Sequence, residues 1–197
     1  VSLIEGLEGA QGDDAKMWQL IQDNFEVDQV INYFAVNALL SHWDGFFNNY
    51  FVYHDVKGSG KWSMYPWDQD STWSLRMGNV DELSKMPINY GAEGARHPDA
   101  QPRREDARDP GRDRRGRGGF RGFGGGRGGP GWWRDGGDIS RPLLANPELF
   151  KRFKVRLKTL AETVFTDEAF GPKIDALMTT LEPEVRLHAE TFERDPD

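Results

Sequence analysis

The chain has 197 residues, a formal net charge of −7 and no cysteine. This length suffices for one domain or for part of a larger one. The negative charge argues weakly against nucleic-acid binding by the whole chain. The lack of cysteine excludes disulfides, thiolate catalysis and cysteine-ligated zinc. There is no membrane-spanning apolar run and no visible signal peptide, but the chain begins with valine, so we expect part of a longer protein whose leader could lie upstream.

Two helices are predicted in the first forty residues. Residues 1–16 show weak periodicity and are predicted to form a loop or the tail of a missing element, and a short helix is predicted near 15–23. Asp28 is a typical N-cap residue, and the apolar residues after it recur at helical spacing, which predicts a buried helix at about 28–41. The apolar residues of that pattern are Val30, Ile31, Phe34, Ala35, Ala38 and Leu39.

A β-hairpin is predicted next. The stretch YFVYH at 50–54 is aromatic and β-branched, which favours a strand, and KWSMY at 61–65 is predicted to be its partner. The residues between them have the glycine and aspartate content of a turn. Pro66 is predicted to end the second strand, because proline cannot donate to a continuing ladder.

The composition changes at about residue 91. Residues 91–137 hold 15 of the 23 glycines. Residues 96–141 carry 12 arginines and 7 acidic residues, which leaves a net charge of −12 on the rest of the chain. Such a sequence has too little apolar surface to offset the entropy of ordering it. We predict a disordered Gly/Arg-rich insertion at 91–137, which is either a solvated linker or a tether for RNA, another polyanion or an acidic partner.

The remaining residues, 138–197, are predicted to be helical. Asn146 can cap a helix that has proline at its first position. A further helix is predicted to start at 166–167 and to be interrupted around 171–172, and Pro183 is predicted to open a last helix.

A dense group of polar and aromatic residues follows the predicted buried helix. In SHWDGFFNNYFVYHD, the residues His42, Asp44 and Asn49 match the H-R-D-x-x-x-x-N spacing of the protein-kinase catalytic loop, with tryptophan in place of the arginine. The predicted hairpin is followed by PWDQD, which supplies Asp68. Phosphoryl transfer needs hard oxygen ligands for Mg²⁺ and a carboxylate near the acceptor hydroxyl. These residue types meet both needs.

This combination resembles the spore-coat CotH kinases, a family of atypical protein kinases. The resemblance rests on VINYFAVNALLSHWDGFFNNYFVYHD, GKWSMYPWDQDSTW and PLLANPELFKRFKVRLKTL, and it covers roughly residues 28–75 and 140–190. It implies an α+β, protein-kinase-like C-terminal lobe, mostly helical with a short β-hairpin at the active site. It also implies Mg-ATP-dependent phosphorylation of protein hydroxyls, with Asp44 as the catalytic residue and Asn49 and Asp68 as ligands of Mg²⁺ or Mn²⁺ on ATP.

The resemblance also suggests an organisation and a partner. Residues 1–90 would form the catalytic segment, residues 91–137 the insertion, and residues 138–197 the helical remainder of the same domain. The substrate would be a protein of a coat or surface, and the location stays open between secreted, cell-surface and spore-coat. No Gly-rich loop with a strand lysine precedes residue 28, so we expect these 197 residues alone to be inactive.

Several alternatives remain open from the sequence. Asn48 competes with Asn49 for the ligand role, and Asp70 is either a further metal ligand or a carboxylate that fixes its loop. We interpret His42 as a scaffolding residue. Because of the tryptophan at the arginine position and the insertion, the chain could instead be a degenerate, pseudokinase-like binding or assembly protein.

Overall fold

The computed structural model describes residues 2–73, 88, 90 and 137–193. Within these residues the fold is α+β, mostly helical, with one two-stranded antiparallel sheet. The helices are α1 (Leu3–Gly9), α2 (Asp14–Asn24), α3 (Val27–Leu39), α4 (Ser140–Ala145), α5 (Pro147–Thr163) and α6 (Asp167–Glu193). The strands are β1 (Tyr50–His54) and β2 (Trp62–Pro66). Two 3₁₀ turns span Trp43–Phe46 and Gln69–Ser71.

The prediction of a loop at residues 1–16 is wrong, because α1 occupies much of that stretch. The Ser2 hydroxyl accepts a hydrogen bond from the Glu5 N–H (3.2 Å), and the Glu5 carboxylate accepts one from the Ser2 N–H (2.8 Å). This reciprocal pair is a capping box, whose S-x-x-E spacing is visible in the sequence. The predicted helix near 15–23 is confirmed as α2, which Asp13 caps through the Lys16 N–H (2.9 Å).

The central helix α3 confirms the predicted buried helix but not its cap. The helix begins at Val27, with Glu26 at the N-cap position and no side-chain cap bond. Asp28 therefore lies in the first turn, where a carboxylate interacts favourably with the positive end of the helix dipole. Phe34, at the centre of α3, is fully buried and stacks on Phe46 with ring centroids 5.5 Å apart. This stacking joins α3 to the loop that follows it.

The hairpin lies against the corner between α2 and α3. Strand β1 matches the predicted 50–54, whereas β2 runs from Trp62 to Pro66 and pairs its last residue with Tyr50. The Gln29 side chain bonds both backbone groups of Met64, accepting from its N–H (2.9 Å) and donating to its carbonyl. The hairpin is thereby fixed to α3, and residues 49 and 67, just outside its open end, are brought together.

Helix α5 begins as predicted at Pro147, with Asn146 as its N-cap. The Asn146 amide oxygen accepts from the N–H groups of Glu148 and Leu149 (3.2 Å each), and its amide nitrogen donates to the Asp14 carbonyl (3.0 Å). One buried side chain therefore caps α5 and ties it to the start of α2.

Replacing Asn146 by alanine is expected to lower the free energy of unfolding by about 1–2 kcal/mol, because a cap and a tertiary hydrogen bond are lost together. Urea unfolding of the chain, followed by circular dichroism, measures the change. Asn48→Ala is the control, since Asn48 is exposed. Equal unfolding midpoints for the two variants would contradict the role given to Asn146.

The predicted break in the last helix is wrong, because α6 is continuous and contains Pro172 and Pro183. A proline leaves the carbonyl four residues earlier without its helical donor. Here those residues are Glu168 and Thr179, both exposed, so water can hydrate the carbonyls. The exposure of α6 explains why it tolerates two prolines that would interrupt a buried helix.

The predicted disorder and partners of residues 91–137 fall outside the described residues, apart from Gly137, whose N–H donates to the Phe46 carbonyl (3.2 Å). The domain boundaries stay a prediction. Among the helices described, none has the length and apolarity that crossing a bilayer requires.

Candidate active site

The candidate site lies in the loop that follows α3. The chain leaves the helix through Ser41, whose φ is 55°, and enters the 3₁₀ turn Trp43–Phe46. The carbonyl of Phe46 accepts hydrogen bonds from the Gly137 N–H and the Ser140 hydroxyl, which holds the loop against the start of α4. The loop is therefore fixed at its buried side, by Phe46, and opens toward the hairpin.

Gly45 is required by the close packing inside this loop. A Cβ added there would lie 2.8 Å from His42 Nδ1 and 3.1 Å from the Tyr33 hydroxyl. The Tyr33 hydroxyl donates to the Gly45 carbonyl (2.7 Å). Burial raises the pKa of Tyr33 well above its usual range, and the nearby Tyr50 raises it further. Tyr33 therefore stays a neutral donor at physiological pH.

Asp44 has two carboxylate oxygens in different situations. Oδ2 accepts a hydrogen bond from the Asn49 amide nitrogen (2.7 Å). Oδ1 lies 3.0 Å from His42 Nε2 but is buried without an aligned hydrogen-bond donor among the described residues. The two atoms are close enough for a hydrogen bond, but they are not aligned for one. One oxygen is thus held by Asn49, and the other is enclosed beside His42.

The geometry favours Asn49 over Asn48 as a ligand. A carboxylate only accepts hydrogen bonds, so the amide nitrogen of Asn49 must face Asp44, which leaves its amide oxygen for another partner. Asn48 is exposed and contributes a backbone bond, its N–H donating to the Asp44 carbonyl (2.8 Å). Asn49 also accepts at its own carbonyl from the Trp67 N–H (3.0 Å), which places it beside the PWDQD loop.

The structure brings Asp68 to the same place through its backbone. The imidazole of His42 is fully buried, and its Nε2 lies 3.2 Å from the Asp68 carbonyl as well as 3.0 Å from Asp44 Oδ1. The Asp68 carboxylate is exposed and has no partner among the described residues. Asp70 lies in the following 3₁₀ turn, Gln69–Ser71, also exposed. Its role as a further ligand stays a prediction.

Backbone strain is concentrated around the site. In the described part of the chain, the non-glycine residues with positive φ are Ser41, Asn49, Asp68 and Trp73, with φ between 50° and 56°. Asn and Asp enter this left-handed region with the least difficulty, whereas serine and tryptophan there must be held by their surroundings. The Trp73 N–H, for example, donates to the Leu40 carbonyl (2.8 Å). The two loops are therefore built around a defined, strained conformation.

The oxygen donors of Asn49 and Asp68 are of the kind that Mg²⁺ accepts in proteins. No three His, Cys, Asp or Glu side chains converge on a possible metal position within the described residues. Mg²⁺ in phosphoryl-transfer sites commonly keeps water and phosphate ligands and uses one or two carboxylates from the protein. The amide oxygen of Asn49 and the carboxylate of Asp68 are suitable in type for that arrangement.

Comparison with known proteins identifies the class to which this fold and site belong. The family model for CotH kinase protein matches residues 1–194. The chain therefore belongs to the CotH kinase family, as the motifs predicted.

A curated relative is "Inner spore coat protein H" of Bacillus subtilis (strain 168), which is 23% identical over 183 residues. The match covers 90% of this chain and 38% of that protein, so the chain spans well under half of the length of this relative. No solved structure matches the chain.

Sequence reasoning does not reveal the residues that support the site from α3. Asn37 is 1% exposed and its amide oxygen lies 2.8 Å from His42 Nδ1, yet it lies within an apolar helix and outside the motif. The available signal is a polar residue on the face of α3 that the apolar pattern assigns to the core.

Proposed function

We propose that this chain is the kinase-like C-terminal lobe of a protein that transfers the γ-phosphoryl group of Mg-ATP to a protein hydroxyl. One observation carries the proposal. The Asn49 side chain donates to Asp44 Oδ2 (2.7 Å), and the Asn49 carbonyl accepts from the N–H of Trp67 (3.0 Å), the residue before Asp68. Phosphoryl transfer needs a carboxylate base and oxygen ligands for a metal close together, and this contact brings the three residues to one place.

Each of the three residues has a separate role in this proposal. The Asp44 carboxylate orients the acceptor hydroxyl and takes its proton, as the hydroxyl oxygen bonds to the γ-phosphorus and the bond from that phosphorus to the ADP oxygen breaks. Asn49 and Asp68 hold the metal through the amide oxygen and the carboxylate. When bound, the metal neutralises the negative charge that the phosphoryl oxygens carry. The bond between Asn49 and Asp44 restrains the carboxylate before the reaction, which supports this proposal because less reorganisation is then needed.

Two exposed aromatic residues adjoin the proposed metal ligands. Phe51 and Trp67 are 56% and 58% exposed, and their rings meet edge to face with centroids 5.2 Å apart. Phe51 lies two residues after Asn49, and Trp67 directly precedes Asp68. An exposed aromatic surface at this point offers a nucleotide base a face for stacking.

The substrate we propose is a coat or surface protein. The support is the name of the relative, which assigns that protein to the inner spore coat. Because the match is 23% identical and covers 38% of the relative, the spore-coat location and the acceptor are proposals for this chain.

Asn49→Ala is expected to lower phosphoryl transfer strongly and to raise the Mg²⁺ concentration needed for half-maximal activity, because a metal ligand and the restraint on Asp44 are lost together. Asn48→Ala is the matched control, with an exposed amide one residue away. Mg²⁺ titration of the full-length protein at fixed ATP measures both effects. A larger defect in Asn48→Ala than in Asn49→Ala would transfer the ligand role to Asn48.

The proposed reaction is tested by incubating the full-length protein with Mg-ATP and mapping phosphorylated Ser, Thr and Tyr residues by mass spectrometry. EDTA is the control. Phosphopeptides that require the metal are the expected result. Nucleotide binding without any phosphopeptide, on the protein itself or on an added protein acceptor, would favour the pseudokinase-like alternative.

A further inference from the structure

Asn37 lies where helix α3 meets both loops of the candidate site. Its side chain is 1% exposed. Its amide oxygen lies 2.8 Å from His42 Nδ1 and accepts a longer hydrogen bond from Gln69 Nε2, at 3.4 Å. His42 belongs to the loop that carries Asp44, and Gln69 directly follows Asp68. A single buried amide therefore contacts the Asp44 loop and the Asp68 loop.

The two ends of this amide face different neighbours. The amide oxygen faces His42 Nδ1 and Gln69 Nε2. The other end of the amide faces the Tyr33 hydroxyl, whose pKa is raised mainly by burial, with the Asn37 hydrogen bond acting in the opposite direction. Tyr33 in turn donates to the Gly45 carbonyl (2.7 Å). Both ends of the Asn37 amide are thus engaged.

The contacts continue from His42 to the proposed chemistry. With Nδ1 directed at Asn37, the imidazole ring places Nε2 3.0 Å from Asp44 Oδ1 and 3.2 Å from the Asp68 carbonyl. Without the Asn37 oxygen, the ring would lose the partner that sets its rotation inside a fully buried site. A rotation of the ring would carry Nε2 away from both the Asp44 carboxylate and the Asp68 carbonyl.

We propose that Asn37 is a positioning residue that holds the Asp44 loop and the Asp68 loop in one fixed relation, without touching substrate or metal. Its effect on catalysis rests on the proposed function, whereas its effect on the two loops does not. A polar residue that only satisfies its own buried groups would stabilise α3 without coupling the loops. The two cases differ in which segments show faster backbone hydrogen exchange when the Asn37 amide is removed.

Hydrogen exchange in the full-length protein separates these cases. Asn37→Leu is compared with Asn32→Leu, a matched change on the same helix, where the lost bond is to Arg156 (2.5 Å) instead. Asn37→Leu is expected to speed exchange about tenfold or more in residues 41–49 and in residues 66–73, with α2 unchanged. Exchange in either loop equal to that of Asn32→Leu would overturn the proposal. If Asn37→Leu does not fold, the smaller and polar Asn37→Ser is measured in its place, with the same expected pattern.

Phosphoryl transfer by the same variants provides the second readout. Asn37→Leu is expected to lower kcat and to raise the Mg²⁺ concentration for half-maximal activity, while Asn32→Leu leaves both near wild type. A kcat and Mg²⁺ requirement in Asn37→Leu equal to those of Asn32→Leu would refute the catalytic part of the proposal. If the wild type transfers no phosphate while exchange changes as expected, the proposed function fails and the positioning role stands.

Discussion

Asp44→Asn is expected to lower the kcat of phosphoryl transfer by roughly 10²–10⁴-fold, the range found for removal of a general acid or base. The substitution keeps the shape of the side chain and an oxygen that can accept from Asn49, which lies 2.7 Å away in the wild type. It removes the carboxylate, and an amide cannot take a proton from the acceptor hydroxyl. The effect should therefore fall on kcat more than on the KM for ATP. Steady-state kinetics of the full-length protein measures both.

The matched control for this prediction is Asp23→Asn. Asp23 lies on α2, is exposed, and among the described residues its side chain accepts only from the Gln19 side chain (2.8 Å). Its replacement should leave the rate unchanged. Thermal unfolding of both variants shows whether the fold is retained. A folded Asp44→Asn protein with wild-type kcat would remove Asp44 from the role of base.

Asp68→Ala is expected to weaken metal binding and to reduce transfer by about 10³-fold or more, a size comparable to other charge-stabilising groups in phosphoryl transfer. The Asp68 carboxylate is exposed and forms no side-chain bond among the described residues, so its removal should cost little stability. Electron paramagnetic resonance of Mn²⁺ added with ATP measures the bound metal directly. The Mn²⁺ signal of the protein complex should weaken or vanish.

Asp70→Ala is the companion variant, because Asp70 lies two residues further along the same exposed loop. Weaker Mn²⁺ binding in both variants would make Asp70 a further ligand, as the sequence allows. Unchanged binding in Asp70→Ala, with loss in Asp68→Ala, would assign the metal to Asp68 alone. Wild-type Mn²⁺ binding in Asp68→Ala would contradict its assignment as a ligand.

Regular elements near the site are predictable because their signals are local. The apolar periodicity of α3 and the strand–turn–strand pattern at 50–66 each depend on neighbours within a few residues. The continuous α6 is different. The two prolines in its sequence predict breaks, and only the exposure of the helix in the fold explains why it continues.

Some features of the candidate site can likewise be predicted from the sequence, and others require the fold. The spacing from Asp44 to Asn49, and the aspartate after the hairpin, can be read along the chain. The bond that orients the Asn49 amide and the unaligned oxygen of Asp44 depend on three-dimensional contacts. The role of Asn37 is harder to predict, because its partners His42 and Gln69 lie 5 and 32 residues away in sequence. Such a contact becomes visible only when both loops are placed.

The most direct measurement is labelled-phosphate transfer from γ-labelled ATP with Mg²⁺ or Mn²⁺, using the full-length protein with a generic protein acceptor and with autophosphorylation as a second readout. Wild type and Asp68→Ala are compared at equal concentration. We predict that label appears with the wild type and is lost in the variant. Nucleotide bound by a folded wild-type protein that transfers no label, either to itself or to the acceptor, would contradict the proposal that this CotH-family protein is an active kinase.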